Sequence, residues 1–300
     1  MLPGMPVPES DARLTPVLLT RPLHEALRAA VAGGRTSHTC SLDLGRTTST
    51  VAVDPTGWGT AAQRLPWFDA CRDRTVYYWD GAAFQPVSRY TTSLVKLVPT
   101  DWGPPTFEID GIKMLPTAVV SPWEDAGAKV ALIQPRGKVV LDTCGGLGYF
   151  AAWCLAGGAA RVLSFEKNPD VLWLRRVNPW SPEGGGTDTG ALELVPGDVV
   201  TAIRGLATGS VDAVLHDPPR FGIAGELYSG DFYGELARVL KRGGRLFHYT
   251  GTPNRLTSGR DVPAEVAKRL KAAGFGTERV GDGVLAVKKA SNRAEPGPAG

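Results

Sequence analysis

The chain has no stretch approaching the roughly 20 consecutive apolar residues that cross a bilayer, so a membrane-spanning helix is not expected. Its first segment does not join a basic stretch to an apolar run as a secretory leader does, and the expected compartment is the cytoplasm. Cysteine is scarce. Cys40, Cys71, Cys144 and Cys154 are the four, and none falls in a CxxC or metal-ligand spacing. Such spacing excludes a disulfide scaffold, implies no metal, and leaves reduced, mostly buried thiols as the expectation. Charge of one sign is lacking too, since 33 basic and 30 acidic side chains leave only +3. That excess is too small to demand an extended nucleic-acid partner, although a local basic face stays open. No internal repeat is found.

What is present suits a globular protein. The 300 residues, 43% hydrophobic and 21% charged, suffice for one large α/β domain and a smaller appended one. Residues 1–36 read as a loose Pro-rich arm and a short helix, RPLHEALRAAVAGG, stopped by its glycine pair. From 37 to 117 the pattern changes to short β-prone runs between Gly, Pro and Asp turns, which implies a small β-rich domain. From 118 to 289 strand and helix patterns alternate, as expected of an α/β fold with a doubly wound, mainly parallel seven-stranded sheet. Two closing strands joined by Gly-Asp-Gly suggest a hairpin with an antiparallel strand at or near one edge. Residues 290–300 are too poor in apolar side chains to pack, and disorder is expected there.

The run VLDTCGGLGYFAAW passes from an apolar strand through a glycine turn into a helix, the context a nucleotide-binding turn requires. Small residues at Cys144, Gly145, Gly146 and Gly148 allow close backbone approach, and the helix start supplies N–H donors. Asp142 stands directly before the turn, where an acid suits a cationic amino group and opposes a pyrophosphate. Glu166, with Lys167 beside it, ends the next strand 18 residues after Gly148, where a carboxylate accepts from ribose hydroxyls. Gly197 and Asp198 close the third strand, where an adenine amino group would be met. Glu166 and Asp198 also have an ordinary use as helix caps.

Ligands of open α/β sheets bind beyond the carboxyl ends of the strands, so the loop HDPPRFGIAGELYSGDFY faces the same cleft. Asp217, Pro218, Pro219 and Arg220 resemble the D/N-P-P-x motif of amino-group methyltransferases. In that motif an acid or amide and a proline-fixed carbonyl accept hydrogen bonds from an amine. Two prolines rigidify such acceptors. His216 and His248 are read either as proton carriers or as strand-end residues satisfied by local bonds. Glu226, Tyr228 and His248 are candidate substrate contacts. Ser229, Asp231 and Tyr233 are read either as substrate contacts or as a helix cap (Ser229 or Asp231) and a packing residue (Tyr233), and the Asn178-Pro179-Trp180 turn either walls an adenine pocket or packs.

These segments, DTCGGLGYFA, NPWS and above all HDPPRFGIAGELYSGDFYGELARVLKRGGRLFHYTG, resemble a group of predicted methyltransferases best known from archaea. The resemblance runs from about SLDLG to VLAVKK and implies a class I, Rossmann-like fold with S-adenosylmethionine as cofactor. Within that class the turn resembles D-x-G-x-G-x-G, with Asp142, Gly146 and Gly148 matching and Cys144 in place of the first glycine. That resemblance names no acceptor, and with the Asp217-Pro218-Pro219-Arg220 loop the expected reaction is methyl transfer to a nitrogen of RNA or of a small amine. A looser likeness to aminopropyltransferases implies decarboxylated S-adenosylmethionine instead, but their GGGDGG-type turn has an aspartate where this chain has Leu147. Methyltransferases that modify carbon 5 of RNA cytosine also carry a DPP loop, yet the cysteine nucleophile they need is missing from HDPPRF and HYTGTP. A non-catalytic RNA- or protein-binding module is the remaining alternative, opposed by four acids directed at one cleft.

The β-rich part contains Tyr77, Tyr78, Trp79, Arg89, Tyr90, Lys96 and Lys113, which would suit RNA stacking and phosphate contact but more commonly reflect core packing. The run EIDGIKML is a candidate lid carrying Asp110 and Lys113.

Overall fold

The computed structural model describes residues 16–182, 190–251 and 261–289. The expected disordered tail and the start of the Pro-rich arm lie outside the described residues. Two compact units are formed. The first takes in the described residues up to Ala126, with Gly146–Tyr149 and 168–182. The second takes in Gly127–Gly145, Phe150–Lys167 and the described residues from 190 onward.

The first unit is built from three small antiparallel sheets. One joins β1 (Leu18–Leu19), β6 (Tyr77–Trp79) and β7 (Phe84–Pro86), and a second joins β2 (Ser37–Cys40), β3 (Ser49–Asp54), β4 (Gly57–Gly59) and β5 (Arg64–Leu65). The third runs β11 (Ile112–Lys113), β10 (Thr106–Ile109), β9 (Leu94–Val98), β8 (Ser88–Tyr90). Asp110 and Gly111, at φ 48° and 78°, make the tight turn between β10 and β11. Two left-handed residues match the twist of a two-residue hairpin.

Helix α1 (Arg21–Ala32) buries His24, Leu27 and Ala30, three residues apart, and carries Pro22 in its first turn, where the missing N–H costs nothing. Leu27 and Ala30 share one core with Leu19, Val51, Val53, Trp58, Leu65, Tyr77 and Phe84. The helix assigned by sequence to a separate arm therefore packs inside the β-rich unit. Its apolar stripe needs a partner, and Val51 and Val53 on the inner face of β3, with Trp58 of β4, supply it.

Helix α2 (Pro122–Ile133) carries the chain from the first unit into the second. The second unit's strands are β12 (Val139–Asp142), β13 (Arg161–Glu166), β14 (Leu192–Pro196), β15 (Val211–His216), β16 (Leu240–Tyr249), β17 (Phe275–Val280) and β18 (Gly283–Lys288). They form a seven-stranded sheet in the order β14-β13-β12-β15-β16-β18-β17. Pairing from β14 through β16 is parallel, and β18 is antiparallel to both β16 and β17. The sheet is thus mixed, with the reversed strand one place from the edge. Val140, Leu141, Ala213, Val214 and Leu215 of the central strands are fully buried, as strands covered on both faces require. The intervening helices are α3 (Tyr149–Ala156), α4 (Pro169–Val177), α5 (Val199–Ala202), α6 (Gly230–Val239) and α7 (Val262–Ala272). Among these, α4 belongs to the first unit, so the units do not follow the single boundary at 117/118 read from the sequence. Among the described residues no helix is long and apolar enough to cross a membrane.

Candidate active site

Strand β12 ends at Asp142, which is fully buried and accepts a hydrogen bond from the Ser164 hydroxyl of β13 at 2.8 Å. The turn after it is hydrogen-bonded to both neighbouring strands. Thr143 N–H donates to the Leu215 carbonyl at 3.1 Å and Gly145 N–H to the Phe165 carbonyl at 2.7 Å. Gly146 and Gly148 have φ of 49° and 81°, which a side chain disfavours. Cys144 is not among the left-handed residues, so its Cβ brings no backbone strain. Gly148 also lacks room for a side chain, since a Cβ there would come within 2.6 Å of the Arg175 guanidinium.

Parallel register brings the strand-end acids together. Burial pushes the Cys144 thiol well above its ordinary value, and the carboxylates of Glu166, Asp142 and Asp217 add to the rise. Acids from three strand ends therefore lie within electrostatic reach of one thiol. Glu166 is half-buried, and its carbonyl accepts from Gly197 N–H at 3.0 Å. Asp198 caps α5, accepting from Val200 N–H at 2.8 Å. Lys167 places its ammonium 3.8 Å from Asp198 and 3.7 Å from Glu226. Three separately nominated residues thus form one cluster, about half exposed and correspondingly screened.

The Asp217 loop is braced from inside. The Tyr228 hydroxyl donates to the Pro219 carbonyl at 3.1 Å, and the Tyr228 backbone carbonyl accepts from Arg269 at 2.6 Å. Burial pushes the Tyr228 phenol up, and Asp217, Cys144 and Tyr249 contribute. The Arg220 carbonyl accepts from Ile223 N–H at 2.7 Å, while its side chain is exposed.

His216 and His248 are paired across β15 and β16, fully buried, with ring centroids 4.4 Å apart. The Leu227 carbonyl 3.0 Å from His216 Nε2 only accepts, so Nε2 carries the hydrogen and Nδ1 accepts from the Thr143 hydroxyl at 2.7 Å. For His248 the assignment is reversed. Nδ1 donates to the Tyr249 carbonyl at 2.7 Å and Nε2 accepts from the Tyr233 hydroxyl at 2.8 Å. Burial pushes His216 down to about 4. His248 is held well below its ordinary value by burial and then by His216. Both rings are neutral and satisfied at either nitrogen. The proton-carrying role considered for His216, and the substrate contact considered for His248, therefore give way to a structural one.

No protein-family model matches the chain. An uncharacterized protein of Methanocaldococcus jannaschii is 46% identical over 197 residues, covering 64% of this chain and 66% of that protein. A polyamine aminopropyltransferase of Mycobacterium tuberculosis is 31% identical over 126 residues, covering 40% of this chain and 24% of that enzyme. The chain thus spans just under two thirds of the first relative and about a quarter of the second. Spermidine synthase from Thermotoga maritima superposes with a TM-score of 0.51 at 17% identity, over 71% of this chain and 77% of that one. The likeness is one of fold.

Of the nominated residues, Asp142, Cys144, Glu166 and Asp217 share one neighbourhood, and Lys167, Asp198 and Glu226 a second. Ser229 caps α6, accepting from Phe232 N–H at 3.1 Å, and Asp231 lies exposed in that helix's first turn. Trp180 packs on Trp123 at 5.3 Å and donates to the Leu44 carbonyl at 2.9 Å, a packing role within the first unit. Asp110 and Lys113 serve their own hairpin, Asp110 accepting from Leu94 N–H at 2.8 Å and Lys113 donating to the Thr117 hydroxyl at 2.7 Å. Thr143 and Tyr249 were not nominated. Tyr249 follows His248 directly and lies within electrostatic reach of Tyr228, and buried Lys129 places its ammonium 4.0 Å from the Tyr249 ring centre. Its position at the end of β16 was the only available signal. Among the described residues no group of three or more His, Cys, Asp or Glu side chains is placed to hold a metal ion.

Proposed function

We propose that the chain is an S-adenosylmethionine-dependent methyltransferase acting on a nitrogen of RNA or of a small amine. The observation that carries this is the position of Asp142, Glu166 and Asp217 at the carboxyl ends of three adjacent parallel strands, β12, β13 and β15. The donor set suits the cofactor. Half-buried Glu166 offers a carboxylate to ribose hydroxyls, and Asp198 with Gly197 lies one strand further on for the adenine. Gly146 and Gly148 give the turn backbone angles that a side chain disfavours. Asp142, being fully buried, acts on a cationic amino group through its field rather than by contact.

The cofactor supplies a methyl group on a sulfonium sulfur. The chain's part is to align an acceptor lone pair with it, which is chiefly a matter of orientation. Asp217 accepts a hydrogen bond from the acceptor N–H, and the Pro218-Pro219 backbone holds that carboxylate in register. Tyr228 fixes the Pro219 carbonyl.

Aminopropyl transfer from decarboxylated S-adenosylmethionine is the second reading, favoured by the likeness to spermidine synthase and to the mycobacterial enzyme. The position that carries an aspartate in the aminopropyltransferase turn is Leu147 here, only 1% exposed. A buried apolar side chain there supports methyl transfer. The test is incubation with methyl-labelled S-adenosylmethionine and either total RNA or a panel of small amines. Asp217→Ala should lose at least about a hundredfold in labelling while its cofactor affinity stays close to wild type. Undiminished labelling by the variant would remove Asp217 from its role.

A further inference from the structure

His216 bridges two parts of the proposed site. Its Nδ1 accepts from Thr143, the residue that opens the glycine turn, at 2.7 Å. Its Nε2–H donates to the carbonyl of Leu227, the residue that closes the loop begun by Asp217, at 3.0 Å. Within the loop, Ile223 and Ala224 N–H donate to the Arg220 carbonyl at 2.7 and 3.2 Å and Leu227 N–H to the Ala224 carbonyl at 3.1 Å, and Arg269 of α7 donates to the Tyr228 carbonyl at 2.6 Å. Ala224, Leu227 and Tyr228 pack in one core with Leu141 of β12, the strand that leads into the turn, but none of these hydrogen bonds joins loop and strand by a polar link. The ring of His216 supplies that link, being rigid and having a donor and an acceptor on separate nitrogens.

Thr143 makes the link switchable. Its hydroxyl has a second acceptor in the Leu215 carbonyl at 3.3 Å, besides His216 Nδ1. The Cys144 sulfur at 3.7 Å is a third, and one hydroxyl hydrogen serves one acceptor at a time, so only one of the three settings of Thr143 joins turn to loop. An element with two discrete arrangements is what energetic coupling between two sites requires.

We infer that His216 is a positioning residue that couples the glycine turn to the Asp217 loop, so that a ligand ordering the turn also orders the acceptor-binding loop. The inference rests on the turn binding S-adenosylmethionine. Burial keeps the ring neutral, and the donor–acceptor polarity of the link is fixed accordingly.

The test is amide hydrogen exchange at residues 220–229, with and without saturating S-adenosylmethionine, in wild type, His216→Phe, His216→Gln and Thr143→Val. In wild type the cofactor should slow exchange at Ile223, Ala224 and Leu227. In His216→Phe the unliganded loop should exchange about tenfold faster while amides of β15 and β16 keep their protection, a local opening rather than global loss. The cofactor-induced slowing should be absent there and in Thr143→Val, and partly restored in His216→Gln, which keeps an amide donor and acceptor. Slowing that survives in both Phe and Val variants overturns the coupling. Should His216→Phe fail to fold, Thr143→Val decides alone. If wild type binds no S-adenosylmethionine, the function proposed above fails. The comparison of unliganded proteins then still decides whether His216 ties the loop, and unchanged exchange in Thr143→Val refutes the tie.

Discussion

The buried histidine pair and the exposed Lys167 cluster both draw together residues from separate strand ends, but they are held by different physics. At His216 and His248 each nitrogen has a partner within 3.0 Å and water is excluded. Loss of any one partner leaves a buried polar group unsatisfied, which is more costly than the net gain from the bond. Lys167 meets Asp198 and Glu226 at 3.8 and 3.7 Å with all three side chains about half exposed. Solvent screens those pairs, and each is worth little to the fold. The first arrangement suits a scaffold, and the second suits a rim that rearranges when a ligand enters.

Acid should widen this contrast most. The folded-state value of His216, about 4, lies below its ordinary 6.5. Its contribution is therefore complete above about pH 6.5 and is lost as pH falls towards about 4, amounting to about 3 kcal/mol over the full span. The denaturation midpoint should decline already between about pH 6.5 and 5, where most carboxylates remain ionised. A midpoint that is flat over that interval would mean the rings are not buried as described. Tyr233→Phe comes next. It removes the donor to His248 Nε2 and should destabilise by about 1 to 3 kcal/mol in urea unfolding. Equal stability would show that the hydroxyl is dispensable to the pair. Lys167→Ala should change stability by less than about 1 kcal/mol, and the difference should fade at about 1 M salt. A larger, salt-insensitive loss would place the cluster with the buried class instead.

The same division explains what the sequence reveals. The seven strands were readable because the central ones are continuous apolar runs and a Gly-Asp-Gly turn separates the last two. The acids at 142, 166, 198 and 217 were readable because each stands at the end of a strand-like run or within two residues of it, and parallel pairing sets three of those ends side by side. The state of His216 was not readable. Its partners Thr143 and Leu227 lie 73 and 11 residues away in the chain, and nothing local distinguishes a satisfied ring from a reactive one. Likewise the spacing of His24, Leu27 and Ala30 identifies an amphipathic helix but not the sheet that covers it. The Lys167 cluster lies between these cases. Its members were nominated one by one, but their mutual pairing depends on the order of strands β13, β14 and β15.

Calorimetric titration with S-adenosylmethionine and, separately, with its decarboxylated form tests the central claim most directly. The intact cofactor should bind the more tightly, with Glu166→Gln weakening it by about 1 to 3 kcal/mol through loss of a charged acceptor. Preference for the decarboxylated form would establish the aminopropyl reading in its place, and binding of neither would contradict the assignment of the strand-end acids to a cofactor.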